Sequence, residues 1–484
     1  MLTNTTPAAL ASVSGGTITI GRSSDISSLD PQELNIGEDY QTQEALYGSL
    51  VRPSVDGKSI EGDLASSWTF EEPTLTYTFK LRPHLRFSNG SPITPADIAY
   101  SIERVAKGME YAPMFAAISS ITSPVENEIK VKLSRYSNLV LPALSFGFVV
   151  PKNLDGQKPT TFFKNPVTSG EFALASWEPN VQMVLKPNPY YSGSGHVSPS
   201  EIVFRIFPDE TARLNALQAG NIQFDEYVSD EQAPALPGDE LLQSSPRADL
   251  VELVTNNGSA PFNTKSNREA AALAIDRPLL LKTIWNGAGV PAQGLLPPGL
   301  QDSHGTPTGG EAWEYNPSMA RALLHGTHPT VILLASYERG VDSRLVDVLQ
   351  RQLEQAGFHV TVDVRDFASA VTQLLSSKFS LFLTPDDAFL PTVGEPMTTY
   401  VTVGAATAHW NAPAAIGYLQ KFSLAKTLAQ RREEGVQFER WAHSEWLINP
   451  LGNPYIYLGV SKQLQGLVVQ PFGTYRMGTL QLQK

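Results

Sequence analysis

The feature of the sequence that most constrains the fold is an alternation of strand and helix patterns that begins at Val331. A buried-strand pattern, "VILLA", is followed by a helix that begins at Asp342 and ends at Gly357. The strand pattern "FHVTVDV", a helix over 367–375 and the strand pattern "FSLFLT" come next. The apolar residues of the first helix share one face: Leu345, Val348, Leu349 and Leu353. This β-α-β-α-β order predicts parallel strands joined by right-handed crossovers, and therefore an open α/β sheet.

Two acidic residues follow the third strand of this unit, which the pattern ends at Leu383. The next residues are Thr384-Pro385-Asp386-Asp387. Because ligands in open α/β sheets bind at the carboxyl ends of the strands, Asp386 and Asp387 are candidate ligand-binding carboxylates. The alternative interpretation is that both residues cap or turn the loop and point to water.

A second strongly patterned stretch, Phe87 to Val105, reads "FSNGSPITPADIAYSIERV". Its "SNG" provides the positive-φ residues of a sharp turn. Thr94, Pro95 and Asp97 follow as the hydroxyl N-cap, the first-turn proline and the third-position carboxylate that are typical of a helix start. The apolar stripe of the helix then consists of Ile98, Ile102 and Val105. The stretch predicts a turn and a capped helix, with a structural role for Asp97.

Composition narrows the class of protein. The 484 residues suffice for two or three domains, and 42% hydrophobic with 17% charged residues is typical of globular chains. A net charge of −12 argues against nucleic-acid binding and against an anionic membrane surface. The absence of cysteine excludes disulfides, thiolate catalysis and cysteine-ligated metal sites. No run approaches about 18 apolar residues, so no membrane span is predicted.

The sequence contains none of the common motifs of catalysis or nucleotide binding. A nucleophile elbow, a Walker loop, H-E-x-x-H and G-x-G-x-x-G are absent. His325 and His328 are the only close histidine pair, and their loop "HGTHP" has no nearby acidic third ligand. They are either a weak metal pair or two exposed loop histidines. Glu433 and Glu434 lie among arginines and indicate a solvated helix face. We therefore predict no enzyme activity, no cofactor and no metal site.

Several blocks of sequence, in order along the chain, resemble one family. They are "SSLDPQ", "ALYGSLVRP", "DLASSW" with "TYTFKLRPHLRFSNGSPITPADIAYSIERV", "NPVTSGEFALASWEPNVQMVLKPNPYY", "DETARLNALQAGNI", "NNGSAPFNTKSNREAAALAIDR" and "YNPSMARALL". In these blocks the chain resembles the extracytoplasmic solute-binding proteins of bacterial ABC transporters, in the peptide-, opine- and nickel-binding family.

This resemblance implies an α/β, two-lobed periplasmic-binding-protein fold of the large type, with an extra subdomain in lobe I. Lobe I is expected to be discontinuous and to consist of residues 1–43, 161–250 and 458–484. The extra subdomain is expected over 44–160, and lobe II over 251–457. Ligand is expected in a cleft between the lobes, which close about hinge segments.

The resemblance also implies a function and a location. A monomer is expected to capture a small solute, such as a peptide, an opine or another amine- or cation-bearing compound, and to deliver it to ABC transporter permease subunits. The alternatives are a sugar or metal-chelate ligand, a receptor that presents ligand to a sensor, and an enzyme on the same scaffold. The expected location is the periplasm or the extracellular face of the membrane. The N-terminal "TNTTPAALASVSGG" fits a trimmed export signal or lipid anchor, and it equally fits an ordinary flexible terminus.

One family motif departs from its usual form. Peptide binders of the family carry "G-W-x-x-D-Y-x-[DE]-P" after the strand, and its aspartate receives the peptide's amino group. Here the sequence is "LTPDDAFLPTVGEP". If Glu395-Pro396 matches the end of the motif, Phe389 replaces the tryptophan and Thr392 the aspartate. If the strand is aligned without a gap, Asp386 replaces the tryptophan and Phe389 replaces the aspartate. Both alignments displace the amine-binding carboxylate and put ordinary peptide binding in doubt.

The resemblance implies further ligand contacts. Tyr100 lies where family members place a residue near ligand, and Asn35 and Ile36 lie in a loop that touches ligand through its backbone. His409 and Trp410 belong to "TAHWNAP", which resembles a family segment near the cleft. Trp410 either offers a stacking face to a ring or sugar or is buried in the lobe interface. The expected ligand-binding residues are Asn35, Ile36, Tyr100, Asp386, Asp387, Phe389, His409 and Trp410.

Overall fold

The structure, a computed structural model, describes most of the chain. The described residues are 16–32, 37–108, 111–195, 197–238, 240–243, 249–292, 294–303, 313–336 and 341–483. Within these ranges, no helix combines the length and the hydrophobicity that a membrane span requires.

Runs of strands are interspersed with helices along the described residues. The strands are β1 Thr17–Arg22, β2 Val51–Pro53, β3 Ile60–Gly62, β4 Ala65–Glu71, β5 Thr76–Leu81, β6 Ile118–Thr122, β7 Glu128–Leu133, β8 Phe172–Glu178, β9 Gln182–Pro187, β10 Glu201–Ile206, β11 Phe224–Val228, β12 Leu241–Gln243, β13 Asp249–Thr255, β14 Gly289–Pro291, β15 Thr330–Ser336, β16 His359–Arg365, β17 Leu381–Asp387, β18 Ile448–Pro454, β19 Tyr457–Val460, β20 Leu464–Gln465 and β21 Gln481–Leu482.

The helices are mostly short. They are α1 Gly37–Leu46, α2 Pro95–Val105, α3 Ala112–Phe115, α4 Val140–Ala143, α5 Pro159–Phe162, α6 Glu210–Gln218, α7 Lys265–Leu273, α8 Arg277–Thr283, α9 Pro317–Leu323, α10 Ser343–Ala356, α11 Phe367–Leu375, α12 Gly394–Thr399, α13 Ala405–Thr407, α14 Ala412–Leu424 and α15 Leu428–Ser444. A π-helical turn, Tyr400–Gly404, joins α12 to α13.

Two large sheets and one smaller sheet organise the molecule. The first large sheet has seven strands in the order β12-β19-β11-β1-β10-β9-β8, and the second has six in the order β14-β18-β13-β17-β15-β16. A four-stranded antiparallel sheet, β4-β5-β7-β6, lies between β1 and β8 in the sequence. Each large sheet therefore gathers strands from distant parts of the chain. The lobe boundaries expected from the resemblance stay predictions.

The β-α-β-α-β prediction is confirmed. Strand β15 pairs in parallel with both β16 and β17. The connecting helix α10 begins after Asp342, whose Oδ1 accepts the Leu345 N–H at 2.9 Å. It ends at Gly357, which has a φ of 109° that glycine adopts without strain. The strong local signals at both helix ends made this unit predictable.

The predicted end of the third strand is wrong. Strand β17 continues past Leu383 to Asp387 because β13 runs antiparallel beside it over that whole length. Leu250 pairs with Asp386, and Asp249 pairs with Asp387. The two acidic residues therefore belong to the strand and not to a loop beyond it. A partner strand more than a hundred residues earlier in the chain leaves no signal in the local pattern.

The capped helix predicted before Val105 is confirmed as α2. The Thr94 hydroxyl accepts the Asp97 N–H at 3.4 Å, and Asp97 Oδ2 accepts the Thr94 N–H at 2.7 Å. Asp97 Oδ1 also accepts the Lys152 N–H at 2.7 Å. Asp97 is therefore a structural residue, as predicted.

Two hydrophobic cores cover the opposite faces of the six-stranded sheet. Val251 and Leu253 of β13 face the core formed with α7, α8 and α10. Val254 faces the other core, which extends through α12, α14 and α15 to the seven-stranded sheet. Because side chains alternate along a strand, Glu252 shares the face of Val254. By the same alternation, Asp386 of β17 shares the face of Phe382, which also belongs to the second core.

Candidate ligand site

Two carboxylates lie close together on the neighbouring strands β13 and β17. Glu252 pairs with Thr384, and Asp386 is two residues farther along the same strand. The two acids are therefore diagonal neighbours on one face of the sheet. Glu252 is only 3% exposed, whereas Asp386 is half-buried. The pair thus extends from the sheet interior toward solvent.

The hydroxyl of Tyr400 bridges this pair. It donates to Glu252 Oε2 at 3.0 Å, lies 3.2 Å from the carbonyl oxygen of Leu295 and also hydrogen-bonds with Asp386. A phenol carries one proton, so it donates to one of these oxygens at a time. The Glu252, Asp386 and Leu295 oxygens therefore compete for this one proton.

The pKa values of the cluster respond to this environment. Burial raises the pKa of Glu252 well above its usual range, the charge of Asp386 raises it further, and the Tyr400 hydrogen bond lowers it. Burial likewise raises the pKa of the Tyr400 hydroxyl, with contributions from Asp386 and then Glu252. At neutral pH the cluster therefore either retains a proton or requires a cation.

The local backbone explains how Tyr400 reaches the sheet. It begins the π-helical turn between α12 and α13, and such widened turns often occur at functional sites. Its ring stacks on Phe438 of α15 with centroids 6.2 Å apart and lies 5.9 Å from the Trp410 ring. The aromatic neighbours fix the ring, so the hydroxyl is held over the carboxylates.

Trp410 is buried beside Tyr400. It is 5% exposed, and its Nε1 has no hydrogen-bond acceptor among the described residues. A β-carbon on Gly404 would lie 3.0 Å from Cζ3 and 3.1 Å from Cη2 of the indole. The opposite edge, which carries Nε1, therefore faces away from that turn. The geometry agrees with the buried alternative for Trp410 and shows no open stacking face.

The segment after β17 is held by Glu395. Its carboxylate accepts the Phe389 N–H at 2.9 Å and the Leu390 N–H at 2.6 Å. The Phe389 ring is buried and stacks on Tyr40 of α1, with centroids 4.6 Å apart. Phe389 therefore joins the segment after β17 to the N-terminal helix.

Thr392, the residue that one alignment puts in the place of the amine-binding aspartate, is engaged by another carboxylate. Its hydroxyl donates to Asp302 Oδ2 at 2.8 Å, and Asp302 Oδ1 accepts the Val393 N–H at 2.7 Å. Arg431 Nε lies 3.3 Å from Asp302 Oδ2. These partners make Asp302 a structural acceptor for the segment.

The other predicted site residues lie apart from this cluster or outside the described residues. Tyr100 is half-buried on α2, and His409 is exposed with its ring against Gly258. Asp387 pairs through its backbone with Asp249, and its side chain lies outside the described part of the structure. Asn35 and Ile36 also lie outside the described residues. The structure thus brings together Asp386 and Trp410, through Tyr400.

Sequence reasoning missed Glu252 and Tyr400. Glu252 interrupts the apolar strand "DLVELVT", and an acid at an inward-facing strand position was the available signal. Tyr400 left no signal, because its role depends on a helix irregularity and on contacts with distant strands.

A second buried polar cluster lines a small cavity beside α1. Arg52 Nη1 lies 2.9 Å from Glu171 Oε1, and the Tyr191 hydroxyl donates to Asp63 Oδ1 at 2.8 Å. Glu44 also lines this cavity, and burial raises the pKa of its carboxyl to about 8. The cluster is internal to the region around α1 and contains its own cation.

Comparison with known proteins places the chain in a family. Residues 59–408 match the model described as "Bacterial extracellular solute-binding proteins, family 5 Middle". The chain is 27% identical over 335 residues to a probable D,D-dipeptide-binding periplasmic protein of Escherichia coli (strain K12), covering 65% of this chain and 63% of that protein. It is 25% identical over 363 residues to a glutathione-binding protein of Shigella boydii, covering 72% and 69% of the two chains. The first alignment thus spans less than two thirds of the relative's length.

Solved structures share the fold. A periplasmic binding protein of Helicobacter pylori in complex with the peptide STSA has a TM-score of 0.88 at 20% identity, covering 97% of this chain and 99% of that one. A binding protein from A. tumefacien R10 in complex with agropinic acid has a TM-score of 0.85 at 24% identity, with the same coverage of 97% and 99%. The predicted α/β, two-lobed fold is therefore confirmed.

Proposed function

The chain belongs to the bacterial extracellular solute-binding proteins, family 5, and on this premise we propose that it is the solute-binding component of an ABC importer. The match over residues 59–408 is the observation that carries the proposal. The protein captures a small solute outside the cytoplasm, in the periplasm or at the outer face of the membrane. It delivers the solute to the permease subunits and catalyses no reaction itself.

The ligand class follows from the charges of the candidate site. The carboxylates of Glu252 and Asp386 favour a positive group on the solute, because a poorly hydrated site strengthens an ion pair relative to the surface. Relatives and structural neighbours are named for dipeptides, glutathione and agropinic acid, which are small polar molecules. The proposed solute is therefore a peptide-like compound, an opine or another small compound that carries an amine or guanidinium.

The cleft is proposed to lie between the two large sheets. The Tyr40–Phe389 contact supports this position, since it joins α1 to the segment directly after β17. Within the cleft, we place Asp386, Phe389 and Trp410 nearest the solute. The remaining expected contacts stay part of the proposal: Asn35, Ile36, Tyr100, Asp387 and His409.

The direct test is mass spectrometry of the solute released from protein purified without denaturation. We expect one compound at near-stoichiometric amount, and we expect it to rebind to protein that has been unfolded, stripped and refolded. A transport assay then compares uptake of that compound in cells with and without the protein. Chemical conversion of the compound during incubation, or no effect of the protein on uptake, contradicts the proposal.

A further inference from the structure

Glu252 is a buried carboxylate that has no cationic partner in the part of the chain that the structure describes. Among the described residues it forms no ion pair, and its side chain is hydrogen-bonded to Tyr400 alone. Within the described ranges, the titratable groups that act on it are the Asp386 carboxyl and the Tyr400 hydroxyl, and neither carries positive charge. Burying an unpaired carboxylate destabilises a fold. An acid at this strand position is therefore not explained by stability.

The single hydrogen-bond donor of Glu252 is also shared. The Tyr400 hydroxyl carries one proton, for which the oxygens of Glu252, Asp386 and Leu295 compete. A molecule that brings additional N–H donors and positive charge satisfies the Glu252 carboxylate. Amines and guanidinium groups have both properties.

Trp410 provides an independent observation at the same place. Its indole packs against Tyr400, and its buried Nε1–H has no acceptor among the described residues. Buried donors are almost always satisfied in proteins, so this N–H requires an acceptor that the described residues do not supply. Trp410, in ring contact with Tyr400, therefore has a hydrogen-bond donor that is available to a bound molecule.

We propose that Glu252 determines the specificity of the solute site by binding a cationic group of the solute together with Asp386, while the Trp410 N–H donates to an acceptor of the same molecule. The solute class is a small compound with an amine or guanidinium near a carboxylate, carbonyl or hydroxyl. This inference rests on the proposed solute-binding function. Glu252 is more deeply buried than Asp386, so it forms an ion pair only with a cationic group that has entered the site.

The competing account is that Glu252 only holds the Tyr400 hydroxyl. Glu252→Gln and Tyr400→Phe separate the two accounts. Glu252→Gln removes the charge and keeps a hydrogen-bond acceptor for Tyr400, whereas Tyr400→Phe removes the hydroxyl and keeps both carboxylates. If Glu252 binds the cation, discrimination for charge is lost in Glu252→Gln and retained in Tyr400→Phe.

The experiment measures binding of matched probes to stripped protein by thermal shift and calorimetry. The pairs are arginine and citrulline, and Ala-Ala and its N-acetyl derivative; the second member of each pair lacks the positive group of the first. For a pair that binds, we expect wild-type protein to prefer the charged member at least about tenfold. We expect Glu252→Gln to abolish this preference and Tyr400→Phe to change it less than about threefold.

Outcomes that overturn the inference differ from those that overturn the proposed function. Preference for uncharged probes, or a charge preference that survives in Glu252→Gln, overturns the role of Glu252. A co-purified solute without a positive group does so as well, although solute capture then stands. If no solute co-purifies and no probe binds wild-type protein, the result contradicts both the proposed function and the role of Glu252.

Discussion

Tyr40 and Phe389 stack face to face with ring centroids 4.6 Å apart and an interplanar angle of 20°. Tyr40 belongs to α1 near the N-terminus, and Phe389 follows β17 of the six-stranded sheet. Glu395 fixes the backbone of Phe389 through two hydrogen bonds to its N–H. The stacked pair is therefore a direct contact between two parts of the fold that are remote in sequence.

Phe389→Leu tests this contact. The variant keeps an apolar side chain but removes the ring pair, which contributes about 0.5–1.5 kcal/mol beyond buried area. We expect the free energy of unfolding in urea to fall by about that amount, with weaker binding of the co-purified solute. Tyr40→Phe keeps the ring and serves as the matched control. Equal losses in both variants contradict a role for stacking.

The parts of the fold that could be predicted have strong local signals. Helix α2 was predictable from its capping residues Thr94 and Asp97, and α10 from Asp342 and Gly357. In each case the physical cause lies within a few residues of the element. The parallel strands β15, β16 and β17 followed from the alternation of such elements.

The candidate site was only partly predictable, because its geometry depends on distant pairings. Asp386 was identified from its position after an apolar strand, yet its place within β17 depends on pairing with Leu250. Glu252 lies on that partner strand, and Tyr400 enters through a π-helical turn. No local pattern contains this information, since strand pairing and helix irregularities are decided by tertiary packing.

Thr94→Ala and Asp97→Ala are each expected to lower the free energy of unfolding by about 0.5–2 kcal/mol, because each removes half of the capping box. Solute affinity should stay nearly unchanged, since Thr94 and Asp97 cap the start of α2 and Tyr100 is retained in both variants. Chemical denaturation and calorimetry measure the two quantities. Glu103→Ala, at an exposed position of α2, is the matched control. A large loss of affinity at unchanged melting temperature would show that α2 contributes to binding.

Glu44 predicts a pH dependence of stability. Burial raises the pKa of its carboxyl from 4.5 to about 8 in the folded protein. Between these values the folded state holds a proton that the unfolded state releases, so stability falls as pH rises through this window. The slope contributed by one such group is about 1.4 kcal/mol per pH unit.

Glu44→Gln should therefore gain stability relative to wild type as pH rises from about 5 to about 8, and the gain should level off above that. Urea denaturation at each pH measures the difference. Burial also raises the pKa of Asp225, to about 6. Asp225 titrates in the lower part of the window in both proteins, so its contribution cancels in the comparison. A difference between variant and wild type that does not change with pH contradicts the assignment to Glu44.

A monomer that closes on its solute is expected in solution, because two-lobed binding proteins enclose ligand by hinge motion. Arg344 of α10 already contacts the segment after β11, with Nη1 2.9 Å from Glu231 Oε1 and Nη2 3.3 Å from Asp230 Oδ1. X-ray scattering with the co-purified solute should give a smaller radius of gyration than stripped protein, at a monomer mass. An unchanged radius at saturation, or a dimer mass, contradicts this expectation.

Replacing both Asp386 and Asp387 by asparagine tests the acidic end of β17. The exchange keeps side-chain size and removes two negative charges. Asp386 shares a sheet face with Glu252 and is half-buried, and we propose that it lies at the mouth of the solute site. A cation that enters a poorly hydrated cleft forms a stronger ion pair there than on the surface. We expect affinity for the co-purified solute to fall at least about tenfold, or roughly 1.4 kcal/mol, in calorimetric titrations.

The matched control for this double variant is Asp347→Asn, which removes a negative charge at an exposed position of α10, outside the proposed site. If the loss of affinity came from overall charge, Asp347→Asn would lose about half as much affinity as the double variant. High salt would then remove the loss in both variants, since surface charges are screened. A specific ion pair in the cleft predicts a loss that the control does not share and that persists in salt. Equal affinity of the double variant and wild type would contradict a binding role for the two aspartates and would leave them a structural role at the end of β17.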